Sequence, residues 1–185
     1  DYRAGIGKSL RGLRVGVVSH FHEEDNPVGP ATAAAIAGTL DILRDAGAGI
    51  DTVRLSSLTQ YSTANRVIMN AEAAAYHEPT MRTRHRDYGA RMRSRMLVAS
   101  LLTGADYIQA QRRRQQLRLE FAEAMRRHDV LITAAAAEVA PPIDDVPFWD
   151  GLEKPSFALP WNLTGYPAIA VCAGFGEKGL PLSVQ

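Results

Sequence analysis

The densest set of reactive side chains in the 185-residue sequence is His20-Phe21-His22-Glu23-Glu24-Asp25. In an extended segment two histidines at i and i+2 point the same way, and adjacent carboxylates add hard oxygen donors, which is metal-ligand chemistry. No distant partner at a sharp spacing completes a ligand set, so an exposed acidic loop after a strand is the preferred reading and no metal is expected. His77, His85 and His128 are scattered and fall at expected helix ends or on the surface. His128 would suit the negative end of a helix dipole. Gly174-Phe175-Gly176-Glu177-Lys178-Gly179 fits GxGxxG after a strand, but a dinucleotide site needs a helix N-terminus next. Leu180-Pro181 leads into another strand, so the motif reads as a tight turn and no cofactor is expected. Gly7-Lys8-Ser9 would need a glycine where Tyr2 stands and a strand before it, so a phosphate loop is rejected. The single cysteine, Cys172, lies in an apolar strand with no base nearby in sequence and reads as a buried, inert thiol. No GxSxG occurs, and no Ser-His-Asp set can be picked out.

Charge is unevenly spread. Residues 82–127 hold twelve arginines against four acids, a net of +8, while the remainder is −7, so the overall +1 conceals a split. Such a stretch could face nucleic acid. Its only nearby aromatics are Tyr88, Tyr107 and Phe121, which make no obvious stacking platform, and 18 of the 21 basic residues in the whole chain are arginine. A solvated helix face is therefore preferred, nucleic acid is not the expected partner, and a noncatalytic module that binds a partner or RNA through 82–127 is the alternative. Hydrophobic residues at 46% and charged residues at 22% exclude disordered and collagen-like classes. No apolar run approaches the ~20 residues of a membrane helix, no signal peptide is visible, and one cysteine excludes an internal disulfide framework; a cytoplasmic setting is expected.

The elements that must position these side chains follow from periodicity. Leu13 to Val18 alternates and is Val-rich, a strand. His20 to Pro30 reads as a loop, a helix runs from about Gly29 to Ala46 with Gly47 as its stop, and Ile50 to Leu55 is a second strand. That βαβ unit predicts a parallel pair. Asn65 to His77 is expected to be a helix ended by Pro79. Tyr88 to Leu102 is another, with Met92, Met96, Ala99 and Thr103 on one stripe and Arg95 inside it. Asp106 is expected to cap a long helix carrying Tyr107, Ala110, Leu117, Phe121 and Met125. Val130 to Thr133 reads as a buried strand, Ala140 to Pro160 as a proline-rich loop, and Ala168 to Ala173 and Leu182 to Gln185 as closing strands. The expected fold is a single α/β domain over 1–185 with a mixed, mostly parallel sheet flanked by helices.

One segment is more specific than any of these. Pro160-Trp161-Asn162-Leu163-Thr164-Gly165-Tyr166-Pro167-Ala168-Ile169-Ala170-Val171, continuing through Gly174-Phe175 to Gly179-Leu180-Pro181 and Gln185, resembles the amidase signature family. Upstream, Leu13-Arg14-Val15-Gly16-Val17, Glu72-Ala73-Ala74-Ala75-Tyr76-His77, Asp106-Tyr107-Ile108-Gln109-Ala110-Gln111-Arg112 and Asp129-Val130-Leu131-Ile132-Thr133 resemble the family's segments in the family's order. The resemblance implies an amide-bond hydrolase in which a lysine, acting through a bridging serine, activates a nucleophilic serine beside an oxyanion hole of backbone amides. The family carries those parts on a glycine-serine-rich stretch that this sequence does not contain, and Lys8, Lys154 and Lys178 sit in none of the matching contexts. No catalytic residue is assigned in this chain. The expectation is a fragment of a larger amidase domain without its N-terminal catalytic half, inactive alone, and either homo-oligomeric or in need of that half. Its substrate in the complete enzyme would be a small-molecule amide.

By the same resemblance Arg95 falls where some relatives, notably the amidase-type chains of amidotransferases, place an arginine that binds a substrate carboxylate, a task suited to a guanidinium fork. From the residues alone it could equally pair with an acid such as Glu72. Trp161 and Asn162 lie in the segment that resembles the pocket-side loop and are the other substrate-binding candidates; packing, and backbone bonding for Asn162, is what their types suggest unaided. The sequence departs from the family at Ala134 and Cys172, where prolines are usual, and at Ser183, where glycine is usual. Lys154 or Pro155 stands where those amidotransferase chains carry an acid, which speaks against glutamine recognition of their kind.

Overall fold

Val15, Gly16 and Val17 form the centre of a parallel sheet because no side chain larger than hydrogen fits at the middle position. In the computed structural model, which describes residues 3–146, 148 and 154–185, β1 (Arg14–Val17) lies between β2 (Gly49–Thr52) and β3 (Val130–Ile132). Both neighbours run parallel to it, with Val15 opposite Ile50 on one side and Val130 on the other. A Cβ on Gly16 would come within 2.6 Å of Leu131 Cδ2 and of Val53 Cγ2. The entry to the sheet is clamped by Arg14 and Asp129. Their side chains form an ion pair at 2.7 Å, the Arg14 amide donates to Asp129 Oδ2 at 2.9 Å, and the Asp129 amide donates to the Arg14 carbonyl at 2.8 Å. The guanidinium holds the Asp129 carboxyl down at about 2.

Helix α1 (Pro30–Asp45) joins β1 to β2. Proline at the first position costs no hydrogen bond, and Gly47 at φ 88° closes the other end. There the Ala48 amide donates to Leu43 and the Gly47 amide to Arg44, the paired bonds of a Schellman stop. Strands β4 (Val171–Phe175) and β5 (Pro181–Val184) form an antiparallel hairpin, bulged between Cys172 and Gly174. Thr133 and Gln185 exchange both backbone bonds at 3.0 Å, so the hairpin continues from the end of β3 and the arrangement is mixed, as the α/β reading expects. These elements belong to one compact unit, Asp1–Leu55 with Phe121–Ala140 and Ala168–Gln185; the second comprises Ser56–Glu120 and Pro141–Pro167.

The second unit is helical: α2 (Leu58–Arg84), α3 (Ala90–Ala99), most of α4 (Gly104–Arg127), and α5 (Leu159–Thr164). Helix α2 runs straight past Pro79, contrary to the expectation that it ends there. The carbonyl robbed of a partner belongs to Ala75, an exposed residue, so water can replace the missing donor. The cap of α4 is Thr103, not Asp106. The Asp106 amide donates to Thr103 Oγ1 at 3.2 Å, and Asp106 Oδ2 accepts from the Thr103 amide at 2.8 Å, a reciprocal capping box. Buried Tyr61 on α2 donates to Glu120 Oε2 at 3.2 Å, while Glu120 Oε1 accepts from the Ser56 amide at 2.7 Å. Burial first, and then the Glu120 charge, push the Tyr61 hydroxyl far above its usual range.

Two further expectations are corrected. The segment after β1 is not an open loop: Phe21–Asp25 is one π-helical turn, with the Asn26 amide donating to the Phe21 carbonyl at 3.1 Å. Burial of Phe21, His20 and His22 overrides the polar sequence there. Cys172 is exposed and free, not buried, because nothing among the described residues covers that side of β4. The glycine motif at 174–179 does form a turn between two strands, with Lys178 at φ 60° and Gly179 at φ 71°.

Candidate functional site

The signature segment folds as α5 within the second unit. Pro160 starts it, the Thr164 hydroxyl donates back to the Pro160 carbonyl at 2.7 Å, and Gly165 at φ 80° ends it, its amide donating to the Trp161 carbonyl at 2.8 Å. Arg114 on α4 donates from Nε to the Leu163 carbonyl at 2.8 Å, which satisfies a helix-end carbonyl with a positive group. The motif's residues thus alternate between anchoring and display. Trp161, Leu163 and Thr164 are buried, while Asn162 is exposed, its amide donating to the Ala158 carbonyl at 3.3 Å.

Arg95 sits midway along α3 beside buried Met96 and Ala99, half-buried, with Nε enclosed by protein. Glu72 is not its counterion: Glu72 accepts from the Tyr107 hydroxyl at 3.0 Å. The residue that sequence reasoning missed is Arg66 on α2. Burial lowers its pKa, and the charge of Arg95 lowers it further, so the two guanidiniums lie within electrostatic reach. Arg66 also donates to the Lys154 carbonyl, near the segment where the family departure at Lys154 and Pro155 falls. Its one sequence signal is its position two residues before Ile68, on the partly buried side of an amphipathic helix.

A separate cleft of about 610 Å³ opens between α2 and α3, lined by Ala71, Ala74, Ala75 and Met96 and by Arg82 and Arg93 among others. Arg95, Trp161 and Asn162 do not line it, so the three sequence candidates and the largest cleft described for this unit are distinct features.

The rest of the arginine-rich stretch behaves as a solvated, internally paired surface. Arg82 pairs with Glu78, Arg84 with Asp87, and Arg127 with Glu123, all exposed. Tyr88 bonds His77 at 3.0 Å and Tyr107 bonds Glu72, so both hydroxyls are engaged. Such exposed pairs contribute little stability. In the first unit the His20–Asp25 cluster is divided. Both histidines are buried, Glu23 and Glu24 are exposed, and Glu24 is held by Arg54 at 2.7 Å. Among the described residues no three His, Cys, Asp or Glu side chains gather as a metal site. His128 is buried past the end of α4, with Nδ1 2.9 Å from the Ala124 carbonyl.

Comparison with known proteins gives the wider setting. A family model described as Amidase matches residues 1–185. An amidase of Pseudomonas putida is 31% identical over 188 residues, which take in 97% of this chain and 40% of that protein. A glutamyl-tRNA(Gln) amidotransferase chain of Synechococcus sp. (strain CC9311) is 28% identical over 212 residues, covering 100% of this chain and 43% of the relative. A crystal structure of an amidase superposes with a TM-score of 0.80 at 26% identity, over 96% of this chain and 42% of that one. The chain spans about 40% of the length of the curated relatives it matches.

Proposed function

The chain belongs to the amidase signature family, and from that premise we propose that it is the sheet-and-helix part of an amide-bond hydrolase, without catalytic activity of its own. The observation that carries this reading is the family match over all 185 residues together with the folding of the signature segment as α5. Residues 1–185 serve as one portion of a larger amidase domain. The nucleophile, bridging serine and lysine base come from a portion this sequence does not contain, or the chain works as a homo-oligomer scaffold around it. Arg95, supported by neighbouring Arg66, receives the carboxylate of the amide substrate; planar guanidinium forks match a carboxylate bidentately. Trp161 supports the wall through packing, and Asn162 presents its amide outward. No described helix is long and apolar enough to cross a membrane, and a free exposed thiol at Cys172 suits a reducing compartment such as the cytoplasm.

Two measurements test this. The purified chain is expected to show no turnover of simple amides or esters and no stoichiometric labelling by serine-directed reagents; labelling would overturn the reading. Joined to a segment bearing the family's glycine-serine stretch, it is expected to gain amidase activity. In that enzyme Arg95→Ala should raise KM by roughly tenfold or more for amides bearing a carboxylate and leave neutral amides unaffected, since one charge-assisted bond contributes about 1.5–3 kcal/mol.

A further inference from the structure

In the strand order β2-β1-β3 the chain leaves the central strand β1 for one neighbour and returns later to the other. The segments that follow β1 and β3 therefore diverge at the carboxyl ends of the strands, and open α/β sheets take ligands in the crevice at such a reversal. In this chain that place holds a cavity of about 360 Å³. Ser19, His22 and Glu23 form its polar side, and Val17, Ile36 and Leu40 are among its apolar walls.

His22 crosses the seam between the two segments. Its Nδ1 lies 3.0 Å from Thr133 Oγ1, and that hydroxyl donates to the Val18 carbonyl at 3.3 Å. A hydroxyl that has given its proton to a carbonyl accepts from the imidazole, so Nδ1 carries hydrogen and Nε2 carries the lone pair. Burial pushes the His22 pKa down, the opposing influence of Glu23 being smaller, and the ring is neutral at pH 7. The polar side of the cavity is then a set of acceptors: an imidazole lone pair, the Glu23 carboxylate and the Ser19 hydroxyl. Asp25 adds negative charge near the mouth, whereas Glu24 is neutralised by Arg54. An anion would meet repulsion from Glu23. A neutral alkane would leave the acceptors unpaired, which is costly in a partly enclosed site.

We propose that this cavity binds a small aliphatic primary ammonium ion, with its N–H donors on His22 and Glu23 and its alkyl chain against Val17, Ile36 and Leu40. The proposal uses only residues of the first unit and does not rest on the amide-hydrolase reading.

The test is an NMR titration of the intact chain with n-butylammonium chloride near neutral pH, following the side-chain nitrogen signals of His22. Saturable millimolar binding that moves the His22 Nε2 resonance is expected, with butyrate giving no saturation. Glu23→Gln, at an exposed position, should weaken binding by about tenfold. Ala37→Phe, at an exposed position that lines the cavity, should abolish it while the spectrum stays folded. The proposal is overturned by an unmoved His22 signal, by equal binding of butyrate, or by a folded Ala37→Phe chain that binds as the parent does.

Discussion

Strands β1 and β4 look alike as sequences and differ completely as structures. Both are short apolar runs rich in valine. Val15 and Val17 are buried within a sheet that has neighbours on both sides. Val171 is 50% exposed, with Ile169 and Phe175 above 70% beside it, on a strand paired only to β5. From Ala168 to Phe175 there is no charged residue. Burial is therefore a property of the layer that a strand joins, and hydrophobic pattern alone does not say whether that layer is present. The expectation for Cys172 fails for this reason: it follows from the strand's composition, and the strand's face has no cover among the described residues.

The contrast can be broken most severely at Gly16. Gly16→Val would drive a side chain into Leu131 and Val53, and a loss of about 3 kcal/mol, or failure to fold, is expected in urea unfolding. Val15→Ala should cost about 1.5–2 kcal/mol, as expected for two methyl groups lost from a fully buried site. A smaller effect is expected at the Arg14–Asp129 clamp. The Asp129 carboxyl lies at about 2 in the folded chain, against about 3.9 for a free aspartate, so its contribution is complete above about pH 4 and lost as pH falls through 2. Asp129→Asn should flatten that part of the acid-unfolding curve. Val171→Ala is the smallest change, expected within about 0.5 kcal/mol of the parent. A large loss there would mean that β4 is covered in solution and would erase the contrast with β1.

The βαβ unit, the long helix α4 and the closing hairpin were legible because each carries its own local signals: valine alternation, Gly47 and Pro30 at the ends of α1, and glycines between β4 and β5. The family was legible because Pro160 to Val171 sets prolines, a glycine and an asparagine at fixed offsets, and those types have few substitutes in a capped short helix. What escaped depended on partners far away in the chain. The turn after β1 is helical because Phe21 and two histidines are buried by residues more than a hundred positions on, Thr133 among them. Arg66 escaped because the charge beside it, Arg95, lies on another helix. The division of the helical middle from the sheet is likewise a matter of contacts, and no linker-like composition marks it.

Pro79 has one more consequence. Because proline has no amide proton, α2 lacks one rung in its ladder of internal bonds, although its course is uninterrupted. The five residues after it are joined to the rest of the helix by fewer bonds than any equal length before it. A helix that is one object in shape is thus two objects in its opening motions. Its last turn can unravel and re-form on its own while the part from Leu58, anchored through Tyr61 and Ser62, stays wound.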